Sequence, residues 1–134
     1  MIVRTFKAAD ENLDDVTAFL EEELEKTDCD MKTSMMLAVC IEEIFVNVAH
    51  YAYPEGEGNV DIGIDTADNI LTLRVTDSGI PFDPLAKEDP DITASAEERG
   101  IGGLGIFIVK KSMDDVTYIR NGKENILSFK KRIS

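Results

Sequence analysis

Apolar residues alternate with polar ones in several short stretches of the chain, a pattern typical of strands with one buried face. Segments 59–65 and 70–76 alternate in this way around the turn-like residues Ala67-Asp68-Asn69, which predicts an antiparallel hairpin. An opening strand is expected at residues 2–7. Two further strands, 115–120 and 126–132, are expected around a turn at Asn121-Gly122.

Three other segments have the spacing of helices. In the first, Asp10 is the predicted N-cap. A second helix begins near Asp30, is apolar almost all round from Met35 to Ala49, and ends before Pro54, which predicts burial between other elements. The third runs from about Gly103 to Met113. The first helix is predicted to be amphipathic, because its apolar residues form one stripe: Leu13, Val16, Leu20 and Leu24.

Helices and strands are grouped rather than strictly alternating, which predicts an α/β (α+β) sandwich of two layers. We expect a mixed, mostly antiparallel sheet covered on one face by three helices. The 134 residues are enough for one hydrophobic core and too few for two ordinary domains, so residues 1–134 are expected to form one domain.

The composition narrows the possible partners. A net charge of −13 repels nucleic acid and anionic membrane surfaces, so neither is an expected partner. The charge fits either a basic protein partner or a solubilising surface. The first residues lack the apolar region of a signal peptide, and we expect a cytoplasmic protein. Cys29 and Cys40 lack metal-site spacing and are expected to be buried or half-buried thiols.

Three features carry candidate chemistry. Four glycines, Gly100, Gly102, Gly103 and Gly105, precede or open the third helix, where backbone amides can approach a phosphate. A plain loop is the alternative interpretation.

The second feature is a polar stripe on the second helix. Glu43, Asn47 and His50 are spaced four and three residues apart and therefore share one face. An Asn amide oxygen is a suitable ligand for Mg²⁺, which leaves Glu43 free as a base. Hydrogen bonding to neighbouring backbone is the alternative, and His50 is interpreted as a structural or rim residue.

The third feature is Asp77, which ends an apolar strand and is followed by a Ser-Gly turn. A carboxylate held there can accept a hydrogen bond from an exocyclic amine. A simple turn at the end of a strand is the alternative.

Taken together, these motifs resemble those of a known family. Glu43-Ile-Phe-Val-Asn47, Asp77-Ser-Gly-Ile-Pro-Phe-Asp-Pro84 and Gly102-Gly-Leu-Gly-Ile-Phe-Ile108 are similar to the N, G1 and G2 boxes of the GHKL ATPase superfamily, in the right order. The particular residues within these motifs, together with Met113-Asp-Asp-Val116, resemble the anti-sigma factor serine kinase branch. The resemblance spans essentially the whole chain and implies the Bergerat-type sandwich.

The resemblance also implies roles for individual residues. Glu43 corresponds to the general base, Asn47 to the Mg²⁺ ligand and Asp77 to the carboxylate that binds the adenine amino group. Residues 82–101 correspond to a lid, within which Arg99 is a candidate for neutralising phosphate. The remaining ATP-binding residues implied are Gly79, Ile80, Pro81, Gly100, Gly102, Gly103, Leu104 and Gly105.

The chain departs from the family pattern at its last strand. Many relatives have a Gly-Thr pair there, whose hydroxyl supports the adenine-binding carboxylate, whereas this chain has Lys123-Glu-Asn-Ile-Leu-Ser128. Thr76 and Asn125 are the two candidates for replacing that hydroxyl.

The resemblance implies a kinase that transfers the γ-phosphate of ATP, with Mg²⁺, to a serine of an antagonist (STAS-type) protein and that sequesters a sigma factor or similar regulator, as a homodimer. One alternative is a nucleotide-dependent binding module without phosphoryl transfer. Another is a detached histidine kinase catalytic domain, for which His50 is an unsuitable phosphoacceptor. The last alternative is an α/β domain that binds no ATP.

Overall fold

A five-stranded sheet forms one layer of the computed structural model, which describes residues 1–86 and 103–133. The strand order is β1-β2-β3-β5-β4, and every pair is antiparallel. The expectation of a mixed sheet is therefore wrong in that detail. The last strand, β5, lies between β3 and β4, so β3 and β4, which run in the same direction, do not pair. The strands are β1 (Ile2–Lys7), β2 (Asn59–Ala67), β3 (Ile70–Asp77), β4 (Asp115–Asn121) and β5 (Glu124–Arg132).

The two hairpin turns contain residues that tolerate a left-handed backbone. Asp68 and Asn69 have φ of 54° and 65° and join β2 to β3, as predicted. The turn between β4 and β5 lies one residue later than expected, because its two central residues are Gly122 and Lys123. Gly122 has a φ of 60°. This register places Arg120 opposite Asn125.

In the described part of the chain, three helices form the second layer: α1 (Leu13–Leu24), α2 (Met31–Tyr51) and α3 (Gly103–Ser112). Asp30 caps α2 as predicted, its side chain accepting a hydrogen bond from the Thr33 amide at 2.7 Å. Asp10 does not cap α1. It opens a short 3₁₀ turn, and its carboxylate lies 2.8 Å from the His50 ring nitrogen Nε2.

The long helix α2 is buried on one side only. Leu37, Ile41 and Phe45 lie in the core, whereas Met31 and Met35 are 78% and 64% exposed. The prediction that α2 is buried between other elements holds for the side that faces α1, α3 and the sheet, whereas its outward side is not covered by the described residues. By length and composition alone α2 passes as a membrane-crossing helix, a test that core helices also pass.

The core lies between the two layers. Alternate residues of β2, β3 and β5 point towards the helices and are buried, as the period of two requires. The largest fully buried side chains are Phe19, Leu20, Leu37, Ile41, Phe45, Ile62, Ile64, Leu71, Leu73 and Phe129.

Candidate functional site

A pocket of about 500 Å³, counting its open mouth, lies between the second half of α2 and the sheet. Ile44, Val48, Val75, Ile106 and Leu127 form apolar walls. Four polar side chains are set among them, and three more residues stand at the exposed rim. The polar residues are Asn47, Asp77, Tyr118 and Asn125, and the rim residues are Tyr51, Ile80 and Phe82.

Asp77 lies at the buried end of β3, with 7% of its surface exposed. Its Oδ1 accepts hydrogen bonds from the Gly79 amide and from Asn125 Nδ2, both at 2.9 Å. Within residues 1–86 and 103–133, no protein group donates to Oδ2. Asp77 therefore keeps one oxygen able to accept a hydrogen bond from a molecule in the pocket.

Asn125 lies where many relatives have the hydroxyl that this chain lacks. The register of β5 against β3 sets it directly opposite Asp77, and it is 6% exposed. Thr76, the other candidate, points to the opposite face of β3 because side chains alternate along a strand. The structure thus decides between the two in favour of Asn125.

The turn after Asp77 packs against the end of α2. The Ile80 amide donates to the Ala52 carbonyl at 2.9 Å, and a Cβ added at Gly79 would lie 2.3 Å from that same oxygen. Only glycine fits such a close approach. Ile80 lines the pocket, whereas Pro81 is exposed and is not among the lining residues.

Glu43 and Asn47 lie one turn apart on α2, as predicted. Asn47 lines the pocket, and Glu43, half-buried, lies against α3. A Cβ added at Gly105 would be 2.2 Å from Glu43 Oε2, so the glycine leaves the space that this carboxylate occupies. Among the described residues, no hydrogen-bond donor to the Glu43 carboxylate is found.

Behind Glu43, the Cys40 thiol is fully buried. Burial raises the pKa of Cys40 to about 11, partly offset by a hydrogen bond with Ser112 and reinforced by the negative charge of Glu43. Cys29 is half-buried, and both thiols are free, as expected from the sequence.

His50, the third residue of the polar stripe, lies away from the pocket. Its Nε2 contacts both carboxylate oxygens of Asp10, at 2.9 and 2.8 Å, on an exposed part of the surface. The interpretation of His50 as a structural or rim residue fits this position.

The glycine cluster is described only in part. Gly103 and Leu104 form the first turn of α3, and Gly105 follows within it. Arg99, Gly100 and Gly102 lie outside the described residues, as does most of the predicted lid.

No group of three His, Cys, Asp or Glu side chains that could hold a metal ion is found in the described part of the chain. Mg²⁺ usually keeps several waters and shares its shell with nucleotide phosphates, so it does not need such a cage. The Asn47 amide oxygen, a hard neutral donor in the pocket wall, fits the role of a single protein ligand.

Sequence reasoning missed Tyr118, Arg120 and Tyr53. The Tyr118 hydroxyl and Arg120 both donate to Asn125, and Tyr53 accepts from the Ser78 amide at 2.9 Å while donating to the Asn59 carbonyl at 2.6 Å. Alternation along β4 places Tyr118 and Arg120 on the inner face, a signal that was available. Pairing them with Asn125 required the correct register of the last hairpin.

An apolar slot with one carboxylate acceptor at its inner end, beside a helix that presents an amide and a second carboxylate, is typical of a pocket for a small molecule. The chain belongs to the histidine kinase-like ATPase domain family, whose model matches residues 6–131. The GHKL resemblance and the predicted sandwich with three covering helices are thereby confirmed.

Among curated relatives, the serine-protein kinase RsbW of Bacillus cereus is 29% identical over 98 residues, 70% of this chain and 61% of that protein. The RsbW of Listeria monocytogenes is 31% identical over 85 residues, 60% of this chain and 54% of that protein. This chain therefore spans less than two thirds of the length of these relatives.

Two solved structures are similar in fold. The RsbU and RsbW domains of Rv1364c from Mycobacterium tuberculosis match with a TM-score of 0.62 and 15% identity, covering 99% of this chain and 33% of that one. A blue-light activated histidine kinase from Erythrobacter litoralis matches with a TM-score of 0.57 and 18% identity, covering 81% and 33%.

Proposed function

We propose that this protein is an ATP-dependent regulatory serine kinase of the RsbW type. It transfers the γ-phosphate of ATP to a serine of an antagonist (STAS-type) protein and sequesters a sigma factor or a similar regulator. The observation that carries the proposal is the arrangement of three side chains. Asp77 and Asn47 line one pocket, and Glu43 lies one helical turn from Asn47, where Gly105 makes room for its carboxylate.

The pocket fits an adenine nucleotide. Asp77 Oδ2 accepts a hydrogen bond from the adenine amino group, and the apolar walls, with Ile80 at the mouth, cover the faces of the base. Phosphates placed towards α3 meet the amides of its first turn at Gly103, Leu104 and Gly105, where the helix dipole favours negative charge. By resemblance, Arg99, Gly100 and Gly102 extend this phosphate site and Pro81 borders the base.

Mg²⁺ is the divalent cation proposed for this site, held by Asn47. When bound, it neutralises charge on the phosphate oxygens. Because one amide is a weak cage by itself, the nucleotide supplies the rest of the binding energy. The cation is therefore expected to bind together with ATP.

Glu43 is the proposed general base. Its carboxylate accepts the proton of the attacking serine hydroxyl and orients that oxygen towards the phosphate. The hydroxyl comes from another protein. Glu43 lacks a hydrogen-bond donor within the described residues, which leaves its oxygens available for this role.

The test is phosphoryl transfer. We would incubate the protein with Mg²⁺, γ-labelled ATP and STAS-type proteins encoded by neighbouring genes. We expect label on a serine of one of them, and its complete loss in Glu43→Ala with ATP binding largely retained. Glu42→Ala is the matched control, since Glu42 is the adjacent residue and is exposed.

Each outcome of this experiment has a distinct meaning. Normal transfer by Glu43→Ala refutes the role of Glu43. ATP-dependent binding of a partner without any product refutes the kinase and supports a switch. A specific nucleotide at about 100 times its Kd should add about 2.7 kcal/mol to the free energy of unfolding, and no thermal shift would contradict nucleotide binding altogether.

The proposal also covers location and assembly. We place the protein in the cytoplasm as a homodimer, with protein rather than nucleic acid or membrane partners because of its charge of −13. Sedimentation velocity with and without ATP tests the dimer, and a monomer at all concentrations would contradict it.

A further inference from the structure

The side-chain amide of Asn125 has only one orientation that satisfies its neighbours. Its Oδ1 accepts from the Tyr118 hydroxyl at 2.5 Å and from Arg120 Nη1 at 3.1 Å. Its Nδ2 donates to Asp77 Oδ1 at 2.9 Å and to the Ile80 carbonyl at 2.8 Å. A guanidinium only donates and a main-chain carbonyl only accepts, so exchanging the amide oxygen and nitrogen would set donor against donor and acceptor against acceptor.

This orientation determines what Asp77 presents to the pocket. With the Gly79 amide and Asn125 Nδ2 both donating to Oδ1, the carboxylate is held as an acceptor. The pocket group that meets Oδ2 must then be a donor. Adenine has an amino group at position 6, whereas guanine and hypoxanthine have an oxygen there, which would face the carboxylate as acceptor against acceptor.

The two side chains that orient Asn125, Tyr118 and Arg120, lie on β4, at the edge of the sheet. Arg120 Nη1 also donates to the Gly79 carbonyl at 2.9 Å, and so holds the turn that follows Asp77. Both side chains are half-buried on the inner face, while Thr117, which precedes Tyr118, is exposed on the outer face.

The geometry points to Asn125, oriented by Tyr118 and Arg120, as the positioning residue that makes this pocket select a 6-amino purine over a 6-oxo purine. The inference rests on the proposed nucleotide binding and adds to it the residues that set the choice of base. It assigns Asn125 no contact with the nucleotide, because its amide acts through Asp77.

The experiment compares ATP with ITP, which differs in having oxygen at position 6. Calorimetry with Mg²⁺ on the intact protein gives the affinity for each nucleotide. In the double variant Tyr118→Phe, Arg120→Met, both side-chain donors to Asn125 Oδ1 are lost. We expect the ratio of ATP to ITP affinity to fall by about tenfold or more, the usual effect of losing hydrogen bonds that support a charged group.

Asn125→Asp is a second test. It sets a second carboxylate next to Asp77, and two such groups at hydrogen-bond distance share a proton. The shared proton lies between the new carboxylate and Asp77 Oδ1, so Oδ2 gains no donor, and Asp77 loses the amide that fixes its orientation. We expect ATP to bind more weakly and the ratio of ATP to ITP affinity to fall. Asn125→Thr, which restores a hydroxyl donor, should keep most of the selectivity. Thr117→Ala is the control and should leave both affinities unchanged.

An unchanged ratio in folded variants, or an equal loss for both nucleotides, would overturn the inference, since a merely structural role weakens both alike. If Asn125→Asp does not fold, Tyr118→Phe, which removes one hydroxyl, decides by the same ratio. Wild-type protein that binds neither nucleotide overturns this inference and the proposed function together. Wild type that prefers ATP but transfers no phosphate overturns the kinase proposal alone.

Discussion

The carboxylate of Glu43 lies directly against Gly105, 62 positions later in the chain, so closely that a Cβ on the glycine would be 2.2 Å from Oε2. The contact joins α2 to α3, in which Gly105 is the third residue, counting from the start of the helix at Gly103. It explains why a residue that lowers helix stability stands inside a helix. The glycine here preserves the position of a side chain on another element.

Gly105→Ala is therefore expected to act on Glu43 rather than on folding. Alanine is the better helix former by up to about 1 kcal/mol, and the obstructing atom is the free end of a side chain that can swing away. We expect phosphoryl transfer to fall by about tenfold or more while the thermal midpoint changes little, because displacing a catalytic group by about 1 Å has large effects. Gly56→Ala, where no atom lies within 4 Å of the added Cβ, is the control. Normal transfer by Gly105→Ala would contradict the proposed role of Glu43 as the general base.

Gly79→Ala is expected to have the opposite profile. The atom that its Cβ would meet at 2.3 Å is the Ala52 carbonyl oxygen, part of the backbone at the end of α2. Because backbone cannot swing aside, we expect the free energy of unfolding to fall by about 1–3 kcal/mol. Urea denaturation measures this, and a variant as stable as wild type would show that the turn has more room than the structure gives it.

Asp77→Asn tests the proposal that the Asp77 carboxylate binds the adenine base. The Asn side chain keeps an oxygen to accept from the Gly79 amide but replaces the free acceptor by an amino group. We expect ATP affinity to fall by about 10- to 100-fold, the effect of losing a hydrogen bond to a charged group. Stability should change little. Asp115→Asn, an exposed position on β4, serves as the comparison, and ATP affinity equal to wild type in Asp77→Asn would remove the residue from the site.

The two cysteines should differ in reactivity. Cys40 is fully buried with a pKa of about 11, so its thiolate is scarce and unreachable, whereas Cys29 is half-buried. At pH 8 we expect a thiol reagent to modify Cys29 alone in the folded protein and both residues in denaturant. Rapid modification of Cys40 without unfolding would contradict its burial.

The same pKa has a consequence for stability. The ordinary value is 9.0, and the folded state raises it by burial, so the folded state favours the neutral thiol. The contribution of Cys40 to stability is therefore complete below about pH 9 and is lost as the pH rises towards 11. Cys40→Ser or Cys40→Ala should remove this part of the pH dependence, which denaturation at pH 8 and pH 10.5 would reveal.

Local pattern predicted most elements of this fold because their causes are local. Asp30 caps α2 through an amide three residues away, and Asp68-Asn69 turn the chain by their own tolerance of positive φ. Asp10 shows where such reasoning fails. Its sequence position suits a cap, but its carboxylate pairs with His50, 40 residues along the chain.

The apolar surface of α2 is a second example. Its apolar composition predicted burial between other elements, and in the described residues only the side that faces the sheet and the flanking helices is buried. A sequence records how apolar a face is. It does not record how many neighbours the fold supplies to cover it.

For the site, the amino-acid sequence by itself determined the chemistry of Glu43, Asn47 and Asp77, because helical spacing and a strand end fix which groups these short motifs can present. Tertiary structure decided which partners those groups have. Asn125 rather than Thr76 supports Asp77, and Tyr118 and Arg120 orient Asn125, because these contacts depend on β5 lying between β3 and β4. Strand order and register arise from burying both layers at once, which no single segment of the chain encodes.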